Sequence, residues 1–535
     1  MEELSYKLYF GGDIVSMKSR DDYTEAIVTA GSRIVFAGTK KEAEEKYGDA
    51  LHINLEGKTL MPAFIDAHSH FLQTAQNIDM CDLSEAEDFE QIADMLKKYV
   101  RERAVREDSV IFANGYDHNF LKEKRHPDKR LLDAVSDKIP IYISHVSGHM
   151  GVANSALLEL ANLTGQEKDP EGGRFGRYSD GSFSGYAEEL PAFMKLVAPA
   201  MERMKTDMAA QIKKAERLYL SHGITTVQEG AGTGEAVKRL AELAKREELD
   251  IDTVVYMMAE EYEETAACMP EYVGKYVNRI KIGGSKIILD GSPQGRSAWL
   301  SAPYEGGTDY CGYPAHNSEY VTAECLKAIR GGYQILAHCN GDAASGQFIE
   351  GYRAAWEKAG MPRTDIRPVM IHCQTVRDDQ LSSMARLSMI PSLFVGHVYY
   401  WGDIHWKNLG KERACRISPA ASALRKGLVL NFHQDTPVTK PDMLHSVWCA
   451  VNRRTKSGRV LGEEQCIDVY EALKAVTVNA AYAYHEESRK GTLEAGKEAD
   501  FAVLSENPLK AEKNRINEIK VMQTIKAGRL VYRAD

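Results

Sequence analysis

Eight short apolar runs, each parted from the next by helical patterning, constrain this chain more than any other feature. They are Met61-Pro62-Ala63-Phe64-Ile65, Ile224-Thr225-Thr226-Val227-Gln228, Ile251-Asp252-Thr253-Val254-Val255-Tyr256, Lys286-Ile287-Ile288-Leu289, Gln334-Ile335-Leu336-Ala337, Val369-Met370-Ile371, Met389-Ile390-Pro391-Ser392-Leu393-Phe394 and Leu428-Val429-Leu430-Asn431-Phe432. Continuous apolar strands alternating with helices read as parallel β-structure covered on both faces. Eight strand–helix units is the number that closes a (β/α)8 barrel. An open, doubly wound sheet is the rival, but no glycine-rich dinucleotide fingerprint supports it. The expected class is α/β, with a TIM-type barrel over residues 61–489.

The two ends of the chain differ from the middle. Residues 6–60 alternate short β-like runs with turns, which predicts a small antiparallel sheet. Similar texture returns at Ala499–Leu504, Val521–Ile525 and Leu530–Tyr532. Residues 1–60 and 490–535 are therefore expected to form one β-sandwich, interrupted by the barrel. A second departure is the gap of about 150 residues between the first and second runs, where a crossover normally needs a few tens. Phe89, Ile92, Met95, Leu96, Tyr99 and Val100 recur at helix spacing within it. Val110–Ala113 and Ile139–Ile143 read as strands. An inserted α+β subdomain over residues 72–205, covering the barrel mouth, is the economical explanation. Met201, Met204 and Met208 read as a packing stripe on one helix.

At 535 residues the chain is too long for one small core. Its net charge of −10, without a basic block, leaves no nucleic-acid footprint. No apolar stretch is long enough to span a bilayer. The acidic start, Met1-Glu2-Glu3, lacks the pattern of a signal peptide. Nine cysteines without C-x-x-C spacing suggest neither a disulfide framework nor a thiolate metal site. A cytoplasmic protein is expected.

In a barrel of this type the chemistry gathers at the C-terminal ends of the strands. Strand one ends in His68 and His70. On a strand, residues i and i+2 share a face, so both imidazoles are predicted to aim at one point, as two metal ligands must. Strand four carries Lys286 followed by Asp290. Strands five, six and eight end in His338, His372 and Asp435. Any one of these is more often a satisfied core or loop residue. Four histidines, a lysine and an aspartate all falling at strand ends is a pattern.

These residues sit within longer motifs: Pro62 to His70, Gly115-Tyr116-Asp117, Gly148-His149 with Asn154-Ser155-Ala156-Leu157, and Gly223 to Val227. Further ones are Asp290-Gly291-Ser292, Gly341-Asp342, Asp435-Thr436-Pro437-Val438, Arg453-Arg454-Thr455 and Gly491 to Asp500. In these runs, over nearly its whole length, the sequence resembles the amidohydrolase superfamily of metal-dependent hydrolases, in its amidohydrolase-3 branch. The resemblance implies that His68, His70 and Asp435 bind one divalent metal and that His338 and His372 bind a second. Lys286, carboxylated on its amine, would bridge the two. One or two ions per chain follow, zinc first, with manganese, iron or nickel as alternatives. The chain departs from the pattern at Ile371, where many relatives carry glutamate, and at Pro293-Gln294.

The resemblance further implies hydrolysis of a non-peptide carbon–nitrogen bond, most simply an amide in an N-acyl or N-formyl compound. Asp435 is expected to act as general base toward a metal-activated water. Tyr116 and His149 are candidate substrate contacts or, equally, structural hydrogen-bonding groups. Asp290 and His433 are further pocket candidates. His397 lies in the aromatic stretch Gly396–Asp403, which either lines a pocket or packs internally. Deamination, ester or lactone hydrolysis, and a non-catalytic regulatory protein with a vestigial site stay open, since barrel and metals do not fix the substrate. The expected partner is a small molecule, with a homodimer as the default assembly.

Overall fold

The computed structural model describes residues 6–146, 148, 150–170, 172–201, 203, 207–306 and 308–534. The chain divides into two compact units, Met1–Thr74 with Lys213–Asp535, and Ala75–Ile212.

Every one of the eight apolar runs overlaps a strand of a single parallel sheet in the first unit. The strands are β1 (Phe64–Ile65), β2 (Ile224–Gly232), β3 (Asp252–Met258), β4 (Ile280–Ile288), β5 (Gln334–Cys339), β6 (Val369–His372), β7 (Ile390–Leu393) and β8 (Asn431–Phe432). Each pairs in parallel with its neighbour in sequence. Two backbone hydrogen bonds join the segments that follow β8 and β1. Asp435 N–H donates to His68 O at 3.3 Å, and His70 N–H donates to Thr436 O at 2.8 Å. One buried cluster draws Ile65, Val254, Tyr256, Leu336, Val369, Ile371 and Ile390 from five strands, with Ala480 and Tyr484 packed among them. Each such side chain contributes about 1.5–3 kcal/mol by leaving water.

β1 is shorter than its sequence predicts. Asp66–Ser69 lie beyond it, and His70 returns only to an isolated bridge with Glu229. The cause is local: Asp66 Oδ1 accepts the His68 N–H at 3.3 Å, the side-chain-to-backbone bond that turns a chain two residues on.

A second eight-stranded sheet combines both ends of the chain, with Phe501–Leu504 antiparallel to Thr59–Pro62. It is mixed rather than antiparallel, because Tyr6–Ile14 pairs in parallel with Leu51–Asn54 and with Thr59–Pro62. Parallel pairing needs a crossover, and the helix Lys40–Lys46, opened by a Thr39–Glu42 capping box, supplies it. Buried charges tie this sheet to β2 and β3. Lys526 Nζ lies 2.6 Å from both Asp252 and Asp500, and Lys490 Nζ lies 2.6 Å from Asp252 and 3.0 Å from Thr226 Oγ1. These contacts account for the Gly491–Asp500 motif and its lysine neighbour.

In the second unit, Cys81–Asp82, Ile111–Tyr116 and Ile141–His145 run parallel within a six-stranded sheet completed by Met150–Ala153, Phe183–Glu188 and Arg174–Arg177. The helix Phe89–Glu102 starts where Asp88 accepts the Gln91 N–H, and it buries Ile92 and Leu96. Asn154 explains its motif. Its oxygen caps the helix Ser155–Leu160 and accepts the Ile141 N–H, while its amide donates to Ser136 O and Ile139 O. Leu190–Met201 and Met208–Ser221 are separate helices, so Met201, which is exposed, and Met208 do not share one, and Met204 lies outside the described residues. Among the described residues no helix is long and apolar enough to cross a membrane.

Candidate metal centre

His68, His70 and Asp435 converge. His68 Nε2 and His70 Nε2 each lie 3.3 Å from Asp435 Oδ1, and that oxygen is buried without a hydrogen-bond partner. The turn at Asp66–Ser69 aims the two rings, and Ser69 faces away, its Oγ donating to Gln228 O. Asp435 (φ 54) and His372 (φ 69) both sit in the left-handed region, costly for residues with a Cβ and common where a site dictates direction. For His372 this breaks the strand alternation: Ile371 packs into the core, and its successor turns to the site.

Hydrogen bonds fix the proton on His68. Gln228 Nε2 donates to Ala67 O at 2.8 Å and to Tyr484 Oη at 3.0 Å, which turns Gln228 Oε1 toward His68 Nδ1 at 2.5 Å. An amide oxygen only accepts, so the proton sits on Nδ1 and the Nε2 lone pair faces Asp435. Hydrogen bonds also orient the His372 ring. Its Nδ1 meets His433 Nε2 at 3.2 Å, and His433 Nδ1 meets Ser392 Oγ at 2.9 Å. Its Nε2 is 4.0 Å from Asp435 Oδ2.

Burial sets the charges. It drives His68 and His372 well below the ordinary histidine value, helped by Lys286 and His338 respectively, and pushes His433 to about 3. Burial alone raises Asp435, but His70 beside it and the His372 and His68 rings outweigh that and hold its carboxyl well below its usual range. Lys286, buried with Nζ 3.1 Å from His68 Nε2, is pushed down to about 8 by burial.

The other predicted residues fall at varied positions. His338 packs edge-on against His372, ring centroids 4.5 Å apart, but its nitrogens face Asp290 (Nδ1 to Oδ1, 3.2 Å) and Asn340 (Nε2 to Nδ2, 3.3 Å). Asp290 spends both oxygens on the backbone N–H groups of Trp299, Asn340 and Gly341. His397 is buried, its Nδ1 3.0 Å from His405 Nε2. Tyr116 is buried in the second unit, its hydroxyl 3.0 Å from His126 Nδ1. His149 lies outside the described residues.

Gln228, Glu229 and Ser392 were not anticipated. Glu229 is a second buried carboxyl, raised by burial, and it accepts the Leu72 N–H at 2.7 Å. Gln228 and Glu229 are buried polar residues in the middle of β2.

This geometry agrees with the comparisons. A model of the amidohydrolase family matches residues 52–532. The chain belongs to the amidohydrolase family. YtcJ of Bacillus subtilis is 25% identical over 549 residues, covering 98% of this chain and 99% of its own. The N-substituted formamide deformylase of Arthrobacter pascens is 24% identical over 550 residues, covering 99% of each. The crystal structure of an uncharacterized metal-dependent hydrolase from Pyrococcus furiosus is 25% identical, with a TM-score of 0.74 over 94% of this chain and 100% of that one. The family match and these relatives support a hydrolase.

Proposed function

We propose that this amidohydrolase cleaves a non-peptide carbon–nitrogen bond, most simply that of an N-substituted amide or formamide. The observation that carries the reading is the convergence of His68 Nε2 and His70 Nε2 on the unpartnered Asp435 Oδ1. Two imidazoles and an ionised carboxylate fit a divalent ion of the zinc class. Lys286, His338 and His372 border this group and would complete the ligands of a second ion. A neutral Lys286 amine can add carbon dioxide: its lone pair bonds to the carbon, a proton leaves, and a carbamate with oxygen donors results. Its lowered value supplies that neutral amine near neutral pH.

Bound there, a divalent metal supplies Lewis acidity and lowers the pKa of water toward neutrality. Asp435 accepts the proton of the attacking water and returns it to the leaving nitrogen. Gln228 keeps the Nε2 atom of His68 free of a proton, and His433 orients the His372 ring. Asp290, its oxygens filled by backbone amides, positions the loop after β5. His433 and His397 line the pocket. The β1–β8 order, the Asp435–His68 and His70–Thr436 bonds and the shared core also support reading the sheet as a closed (β/α)8 barrel, with the mixed sheet as a sandwich.

The formamide class is favoured by the deformylase relative, matched over nearly its whole length. The test is a panel of N-substituted formamides and N-acyl amines with zinc- or manganese-loaded protein, read by release of formate or carboxylate. Release that stops on chelation supports the proposal. No release from any member, or release unchanged after the metal is stripped, overturns it.

A further inference from the structure

We propose that Asp117, His118 and His145, all in the Ala75–Ile212 unit, form a separate metal site that takes a divalent ion of the zinc class. Two neighbouring parallel strands bring them together. Tyr116, last in Ile111–Tyr116, is in register with His145, last in Ile141–His145. Asp117 and His118 therefore leave one strand end beside the residue that closes the next. Ligand-binding groups in such sheets collect at the carboxyl ends of parallel strands.

The spacing suits an ion. His118 Nδ1 lies 3.1 Å from His145 Nε2 and 3.9 Å from Asp117 Oδ1, and His145 Nε2 lies 3.5 Å from the same oxygen. A point equidistant from three atoms so spaced is about 2.1 Å from each, within the ~2.0–2.2 Å of zinc–nitrogen and zinc–oxygen bonds. The ion would lie close to the plane of the three. Two imidazoles and one carboxylate are the borderline donor set that zinc and its neighbours favour.

The surroundings hold these groups in place. The Asn119 N–H and side-chain amide reach Asp117 Oδ1 at 2.8 and 3.0 Å, and an ion taking that oxygen would displace the side-chain amide and keep the N–H. The His126 ring lies against His118, centroids 4.1 Å apart, and is itself fixed by Tyr116 Oη. Groups behind the ligands that fix their orientation are the usual support of a metal site. The side chains of Asp117, His118 and His145 are 10%, 27% and 6% exposed, so an ion can reach them from solvent. It would tie the loop after Ile111–Tyr116 to the next strand.

The full-length protein is stripped with chelator and titrated with Zn2+, and bound zinc is counted by mass spectrometry in wild type, His118→Gln, Asp117→Asn and His68→Ala/His70→Ala. His118→Gln and Asp117→Asn should each bind one zinc fewer than wild type. The His68→Ala/His70→Ala chain should lose a different zinc and keep the one those variants lose. In wild type, zinc should also shield His118 and His145 from diethyl pyrocarbonate, a readout that needs no variant to fold. Wild-type zinc counts in folded His118→Gln and Asp117→Asn, or unchanged reactivity of both histidines with zinc, overturn the proposal and leave a hydrogen-bonded cluster. Loss of zinc in His118→Gln but none in His68→Ala/His70→Ala would sustain this site while removing the one at His68.

Discussion

Replacing Gln228 by leucine tests whether proton placement on His68 governs metal binding. In the native chain Gln228 Oε1 accepts from His68 Nδ1 at 2.5 Å, and neither residue is more than 1% exposed. Leucine leaves that N–H buried without an acceptor, a loss of about 1–3 kcal/mol. The ring can then move its proton to Nε2, where it blocks the ligand position. Partners behind metal-binding histidines are worth ~10–100-fold in affinity, or about 1.4–2.7 kcal/mol. Tyr484→Phe is the graded control. It removes one support of Gln228 but keeps the 2.8 Å bond to Ala67 O, so the loss should stay below ~10-fold. The assay is competition for Zn2+ between metal-stripped protein and a chromophoric chelator, with a thermal melt of each variant. A folded Gln228→Leu protein whose zinc affinity is that of wild type refutes the reasoning.

Asp435→Asn should lower turnover by ~10²–10⁴-fold or more while most of the zinc stays bound, and full activity in the variant would remove Asp435 as the base. Reactivation of metal-stripped protein should need bicarbonate and quicken as pH rises toward 8, where the Lys286 amine becomes neutral; equal recovery in CO2-free buffer counts against the carbamate. Glu486 gives an acid limb to stability. Burial raises it, but Lys490 and Lys281 outweigh burial and hold it at about 2 against the ordinary 4.5. Its folded value is depressed, so its contribution of about 3 kcal/mol is fully present above pH ~4.5 and is lost as pH falls toward 2. Urea midpoints from pH 6 down to 3 should fall more steeply in wild type than in Glu486→Gln, and parallel curves would contradict this.

The strands and the grouping of His68, His70 and Asp435 were legible because their signals are local. A buried parallel strand is mostly apolar, so all eight runs stood out, and titratable residues at their ends pointed to one rim. What sequence hid depends on long-range contacts or backbone direction. The parallel pairing of Tyr6–Ile14 with Leu51–Asn54 is a register choice that alternation does not encode. The left-handed turn at His372 carries no glycine to betray it. Gln228 reads as an ordinary strand residue until its partners Ala67, Tyr484 and His68 meet it across the fold. Asp290 looked like a substrate contact because it follows Lys286 at a strand end, yet three backbone N–H groups occupy it. The spacing within Asp117-His118 revealed nothing of His145, because the strand register between Tyr116 and His145 brings them together.

The central claim is that His68, His70 and Asp435 hold the metal on which hydrolysis depends. Anomalous diffraction at the zinc absorption edge from crystals of zinc-loaded protein tests it most directly. A strong peak is expected at bonding distance (~2.0–2.2 Å) from His68 Nε2, His70 Nε2 and an Asp435 oxygen. A fully zinc-loaded crystal with no peak there, whatever appears elsewhere in the chain, would contradict it.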